Sequence, residues 1–243
     1  GYRVFENRIT SIANDARNFT LVLVHHLIIR RLENAGKLDA LQAQLLSLSP
    51  RVYEERANVL LAVLVFLENL AAYSFASHPD EMELTGIIGT SNARNQLGAQ
   101  DSISIRISRS PDNFVLVNQL GVGLNGRYKT PFITMGFFDH DYLYVPNTWE
   151  EVEGLLTDTS FSRLAHSATR FLGELIDRSG GKEYPEIALD DAPELSAAYR
   201  ECFRDRDVVA QLPQLSRYWK ERLQFNSGAA DLLYRAVGEA EKD

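Results

Sequence analysis

Three glycines, Gly121, Gly123 and Gly126, stand in G-x-G-x-x-G spacing and run directly into Arg127-Tyr128-Lys129. Such a loop can lay backbone N–H groups around a phosphate, provided a strand precedes it and a helix opens behind it. The context expected here is different. Pro131 follows five residues after Gly126 and is expected to stop any helix running through that point. The flanking segments read as helices, so the strand–helix–strand unit of a dinucleotide fold is missing. A Walker loop needs lysine and then serine or threonine directly after its last glycine, whereas Arg127 and Tyr128 intervene before Lys129-Thr130. A kinase glycine loop would be followed by H-R-D and D-F-G, and neither is present. The glycines are expected to form a tight turn, with Gly121, Gly123 and Gly126 as its turn-forming residues.

The charge layout offers a second chemistry. The chain carries a net charge of −8, which disfavours broad nonspecific binding to nucleic acid. Residues 91–130 nevertheless hold five basic side chains (Arg94, Arg106, Arg109, Arg127 and Lys129) against two acidic ones, a local +3. The next thirty residues hold six acids and no lysine or arginine, a local −6. A basic island in an acidic chain is expected to contact an anion, either the acidic face of a protein partner or a DNA or RNA backbone. The PFITMG segment behind it is nearly all apolar, so base reading is not expected of it.

Other chemistry-bearing residues point to structure. His25 and His26 are adjacent in a helical pattern and diverge by about 100°, which suits core packing better than a shared metal. Asp139-His140-Asp141 has metal-like composition, but no further histidine or cysteine nearby completes a ligand set. Cys202, the single cysteine, falls on an apolar helical face; it excludes an internal disulfide and agrees with a reducing, cytoplasmic setting. Glu150, Glu151 and Glu153 follow a cap at Asn147 and suit the positive end of a helix dipole. No catalytic residue, metal-ligand set or cofactor is assigned, and an enzyme with an unrecognised site ranks third among the function classes.

The elements that must position these residues are mainly helical. Apolar spacing predicts a helix over Thr10–Glu33 closed by Gly36, a short one over Leu38–Leu48, and a long apolar one from near Arg51, ended by His78-Pro79-Asp80. That last helix is apolar enough for a membrane span, but Glu68 and Asn69 inside it favour a buried core helix and no membrane. The clearest amphipathic pattern covers Phe161–Ile176, with Phe171 placed in its apolar stripe. Further helices are expected from near Pro193, Gln214 and Ser227.

The middle is mixed. Ser102–Ser108 alternates like a strand, Ser110-Pro111-Asp112 reads as a helix start for FVLVNQLG, Thr130-Pro131 as a second start, and FFDHDYLYV as a further strand. For residues 114–124 a hairpin strand competes with helix. The expected fold is therefore mainly α, with helical lobes flanking a small mixed α/β middle section of winged-helix-like outline. Its parts are an N-terminal helical lobe (1–83), a glycine-rich basic middle section (84–146) and a C-terminal helical lobe (147–243). The chain opens on Gly1 rather than methionine, which is expected either of an artificial start or of a segment of something longer. The function expected is a non-catalytic interaction module of a larger assembly, with other protein subunits or domains as partners. The alternative is a subunit that binds the DNA or RNA backbone.

Overall fold

The structure, a computed structural model, describes residues 15–181, 183–204 and 212–225. The fold is mainly α with a small two-stranded antiparallel sheet. Helix α1 (Ala16–Asn34) starts at Asp15, whose side chain accepts the Arg17 backbone N–H, and it stops where Gly36 takes φ 68°. Its expected first turns, Thr10 to Asn14, lie outside the described residues. Helix α2 (Lys37–Leu48) matches its expected bounds closely. Ser49-Pro50 opens only one turn, α3 (Pro50–Tyr53), and the long helix α4 begins later, at Arg56, and runs to Ala76.

Helix α4 is long and apolar enough to cross a membrane by length and composition alone, yet 94% of that apolar window is buried inside the fold. It is the central element. Helices α1, α2 and α3 pack on it, as do α5 (Thr90–Ala99), β1 (Ser104–Arg106), α6 (Gln119–Val122) and α10 (Pro193–Phe203). Between α6 and α10 the chain forms α7 (Leu124–Thr134), α8 (Pro146–Leu156), α9 (Ser160–Ser179) and β2 (Glu186–Ala188); α11 (Pro213–Arg222) ends the described elements. The helix expected from Ser227 lies outside the described residues. One hydrophobic cluster runs from Phe19 to Leu223 and draws on all three sequence segments.

Helix α9 buries Phe161, Leu164, Ala165, Ala168, Leu172, Leu175 and Ile176, as its spacing requires. Phe171 departs from expectation: it is only partly buried and packs at the margin of the core. In β1, Ile103, Ile105 and Ile107 turn inward as the alternation predicts. The partner strand comes from far along the chain, with Ile105 opposite Ile187, so the sheet is not a local hairpin wing.

Four expectations in the middle section are corrected. FVLVNQLG forms no helix over its first half and no hairpin strand; a 3-10 turn at Pro111–Asn113 leads into irregular chain and then the single turn of α6. Tertiary hydrogen bonds hold the chain out of the helix there. The Asn113 side chain exchanges bonds with the Arg106 backbone at 3.0 and 2.8 Å, and its carbonyl accepts from Asn69 Nδ2. Pro131 does not stop the following helix: α7 passes through it. Burial of Tyr128, Pro131 and Phe132 along α7 compensates for the missing N–H. FFDHDYLYV is a tight turn with one bridge, Phe138 to Tyr144, rather than a strand. Finally, Val145 rather than Asn147 caps α8, with Pro146 in its first turn. The glutamates therefore sit beyond the first turn, where Glu153 pairs with Arg30 at 2.5 Å and Glu151 pairs with Arg222.

Candidate functional site: the glycine loop and its internal carboxylate

The glycine loop does hold an acidic group, and that group is the protein's own. Glu68, from the middle of α4, lies 7% exposed beneath the loop. The Asn125 backbone N–H, in the first turn of α7, donates to Glu68 Oε1 at 2.7 Å. The Gln119 side-chain amide, on α6, donates to Glu68 Oε2 at 3.1 Å and to Asn69 Oδ1 at 2.9 Å. Gln119 in turn accepts the Val115 backbone N–H at 2.8 Å, which roots the incoming chain. A helix thus does open within the glycine loop, at Leu124, between Gly123 and Gly126. Its positive end is taken up by Glu68.

None of the three glycines is at positive φ. They are required by close approach. A Cβ on Gly123 would fall 2.5 Å from the Gln119 carbonyl oxygen and closer still to Glu68 Oε2. One on Gly126 would fall 2.5 Å from the Leu120 carbonyl oxygen and 2.6 Å from that of Gly121. Glycine spacing here lets two short helices and a buried carboxylate share one space.

Burial pushes the Glu68 carboxyl up to about 7, against the opposing pull of its hydrogen bonds from Asn125, Gln119 and Leu124. Behind Asn125 a polar thread continues into the aromatic core. Asn125 Nδ2 donates to the Tyr142 hydroxyl at 2.8 Å, and His26 Nδ1 lies 3.1 Å from the Tyr144 hydroxyl. Rings of Phe132, Phe138, Tyr142, Tyr144 and Trp149 surround His26. Burial drives both His25 and His26 down to about 3, so both are neutral core residues at pH 7. They diverge as expected: His25 meets Tyr199 instead.

The five basic residues do not form one free patch. Arg106 pairs with Asp112 and, at 3.9 Å, with Glu186. Arg109 is anchored on Asn58, and its backbone N–H donates to the Tyr53 hydroxyl at 3.2 Å. Asn58 and Glu68 are ten residues apart on α4, about 15 Å along the axis, so Arg109 and the glycine loop occupy different stretches of it. Lys129 donates to the His140 carbonyl at 2.8 Å and sits 4.1 Å from the centre of the Tyr142 ring. Burial lowers its pKa while Asp141 and Asp139 oppose the shift. Arg94 is exposed on α5. Arg127 is half-buried, and its Nε is a buried donor with no hydrogen-bond acceptor.

Asp139-His140-Asp141 is a turn in which Asp139 Oδ1 accepts the backbone N–H groups of Asp141 and Leu143, each at 2.9 Å. Among the described residues no group of three or more His, Cys, Asp or Glu side chains is placed to hold a metal ion. Cys202 is buried on α10, and burial lifts its thiol to about 11. Sequence reading missed Glu68 as the centre of this site. The available signal was a carboxylate and an amide side by side in an otherwise apolar helix, which requires buried donors somewhere in the chain. It also missed the exposed apolar side chains around the loop. Val117 is 98% exposed and Leu143 68% exposed, and Val122 is also exposed. Compared with protein-family models, curated proteins and solved structures, the chain matches none.

Proposed function

We propose that this chain is a non-catalytic interaction module of a larger intracellular assembly, and that the outer side of the glycine loop meets a protein partner. The observation that carries this reading is Val117. It is almost fully exposed on a segment anchored at both ends, by buried Val115 and buried Gln119. Val122 and Leu143 are also exposed; Val122 is two residues before α7, and Leu143 follows Tyr142, whose hydroxyl accepts from Asn125 in the first turn of α7. Exposed apolar side chains grouped around a rooted loop are a feature of protein-binding surfaces. Arg94, which is exposed, and Arg127, whose Nε has no hydrogen-bond acceptor, supply the contact with an anionic partner face.

The test is crosslinking and capture from the native source with wild type and with Val117→Asp/Leu143→Asp. Both sites are exposed, so the melting temperature should hold while a partner captured by wild type is lost. An unchanged capture pattern would overturn the reading. Gel shift on generic duplex DNA separates the alternative. Salt-sensitive retention by wild type that is lost in Arg94→Glu/Arg127→Glu would replace the protein partner with a nucleic-acid backbone.

A further inference from the structure

Glu68 is buried under a short span of chain, residues 115–123, rooted by buried Val115 and Gln119. This span has one helical turn, a fully exposed Val117 and exposed Gly121 and Val122. Three side-chain hydrogen bonds tie it to its surroundings: Gln119 Nε2 to Glu68 and to Asn69 Oδ1, and Asn92 Nδ2 to the Val115 carbonyl at 3.2 Å. Two of the three converge on the Gln119 amide. Beside the carboxyl lies a cavity of about 10 Å³ lined by Glu68, Gln119, Val115, Leu124 and neighbouring apolar groups. That is at the lower limit for a single water, and full hydration of a carboxylate needs more room than this. Ionised Glu68 can be solvated only if the span lifts.

We propose that residues 115–123 form a proton-controlled lid over Glu68, closed on the neutral carboxyl and opened by hydration of the carboxylate. Gln119 is the hinge contact, because its amide holds both the lid backbone and the carboxyl. The groups facing Glu68 are few among the described residues. From α6 comes the neutral Gln119 amide, from α7 the Asn125 and Leu124 backbone, from α4 itself the Asn69 amide, and from the 137–145 turn the Tyr142 phenol. Lys129 stands on the Tyr142 ring and His26 beyond Asn125. His26 stays neutral above about pH 3 and Tyr142 is raised above its ordinary 10, so neither titrates with Glu68 between pH 4.5 and 8.

The sign follows from linkage. In the open state the carboxyl has its ordinary value near 4.5, and in the closed state about 7. The open state binds protons less tightly, so opening grows as pH rises through that window. Between pH 5.5 and 8.5 the open fraction should increase roughly 30-fold on those two values. The proposal concerns the lid itself and stands whether or not a partner binds there.

Hydrogen exchange on the full chain, read on peptides covering 114–126 and corrected for intrinsic exchange, tests it. The expected result is protection of these amides that falls by one to two orders of magnitude from pH 5.5 to 8.5, while α9 peptides show no such change. In Glu68→Gln the pH dependence should vanish. Flat corrected protection in wild type, or an unchanged pH dependence in Glu68→Gln, would overturn the proposal. Should Glu68→Gln fail to fold, carboxyl-carbon NMR of wild type decides: a Glu68 midpoint near 7 supports the lid, and one near 4.5 removes its driving force.

Discussion

Helices α4 and α9 are nearly equal in length, 21 and 20 residues, and they solve burial in opposite ways. Helix α9 is amphipathic: its apolar stripe enters the core while Arg163, His166, Arg170 and Glu174 face outward. Those outward residues line two adjoining grooves of about 330 and 750 Å³ that share Ser167. Helix α4 is buried on nearly every side, so its few polar groups have no solvent to face. Glu68 and Asn69 must find donors and acceptors inside the protein, and they find them in the glycine loop and at Asn113. A helix with a wet face can place its polar residues locally. A helix without one dictates the conformation of distant chain.

The largest test of this contrast lies in the α9 stripe. Phe161→Ala, at a fully buried ring packed against Phe203, should cost about 3–5 kcal/mol in denaturant titration. A loss below about 1 kcal/mol would mean that the stripe is not core.

The second test uses pH on α4. The Glu68 carboxyl is raised from 4.5 to about 7 in the folded state, so its contribution to stability is full below pH 4.5 and is lost as pH rises through 7. The difference is about 3 kcal/mol, and it should disappear from the wild-type-minus-variant stability profile in Glu68→Gln. The histidines act in the other direction. His25 and His26 are lowered from 6.5 to about 3, so their contribution is full above pH 6.5 and is lost as pH falls toward 3. Stability measured across pH 3 to 9 should therefore fall on both sides, with Glu68→Gln flattening only the alkaline limb.

The third test concerns the glycines over Glu68. Gly123→Ala or Gly126→Ala forces a Cβ onto backbone carbonyls and should cost about 1–3 kcal/mol. Gly98→Ala, within α5 and with nothing within 4 Å of its Cβ position, should instead stabilise by up to about 1 kcal/mol. Equal effects at the two kinds of site would remove close approach as the reason for the loop spacing. The smallest loss among the core substitutions is expected from Phe171→Ala. Its ring is half out of the core and lines the smaller groove, so a loss of about 1–2 kcal/mol is expected.

Helix α9 was legible because its apolar period is set by residues three and four positions apart. The C-terminal end of α1, the bounds of α2 and the inward isoleucines around β1 were legible for the same reason. The charge layout was less so. The +3 and −6 windows exist in the sequence, yet folding pairs Glu153 with Arg30, Glu151 with Arg222 and Arg106 with Glu186, all far apart in the chain. Lys129 is likewise turned onto Tyr142 and the His140 carbonyl. A linear charge count cannot see partners brought in by tertiary packing.

By itself the sequence determined the mainly helical class, the apolar stripe of α9, the buried course of α4 and the short isoleucine strand, because periodicity and glycine or proline stops act within a few residues. Only the tertiary structure decided what surrounds them. It gave β1 a partner eighty residues away, kept residues 114–118 out of a helix through Asn113, and carried α7 through Pro131. It also filled the glycine loop with Glu68. Each of these depends on groups distant in sequence meeting in space, where a buried carboxylate or backbone amide must find its hydrogen bond and a carbonyl leaves no room for a Cβ.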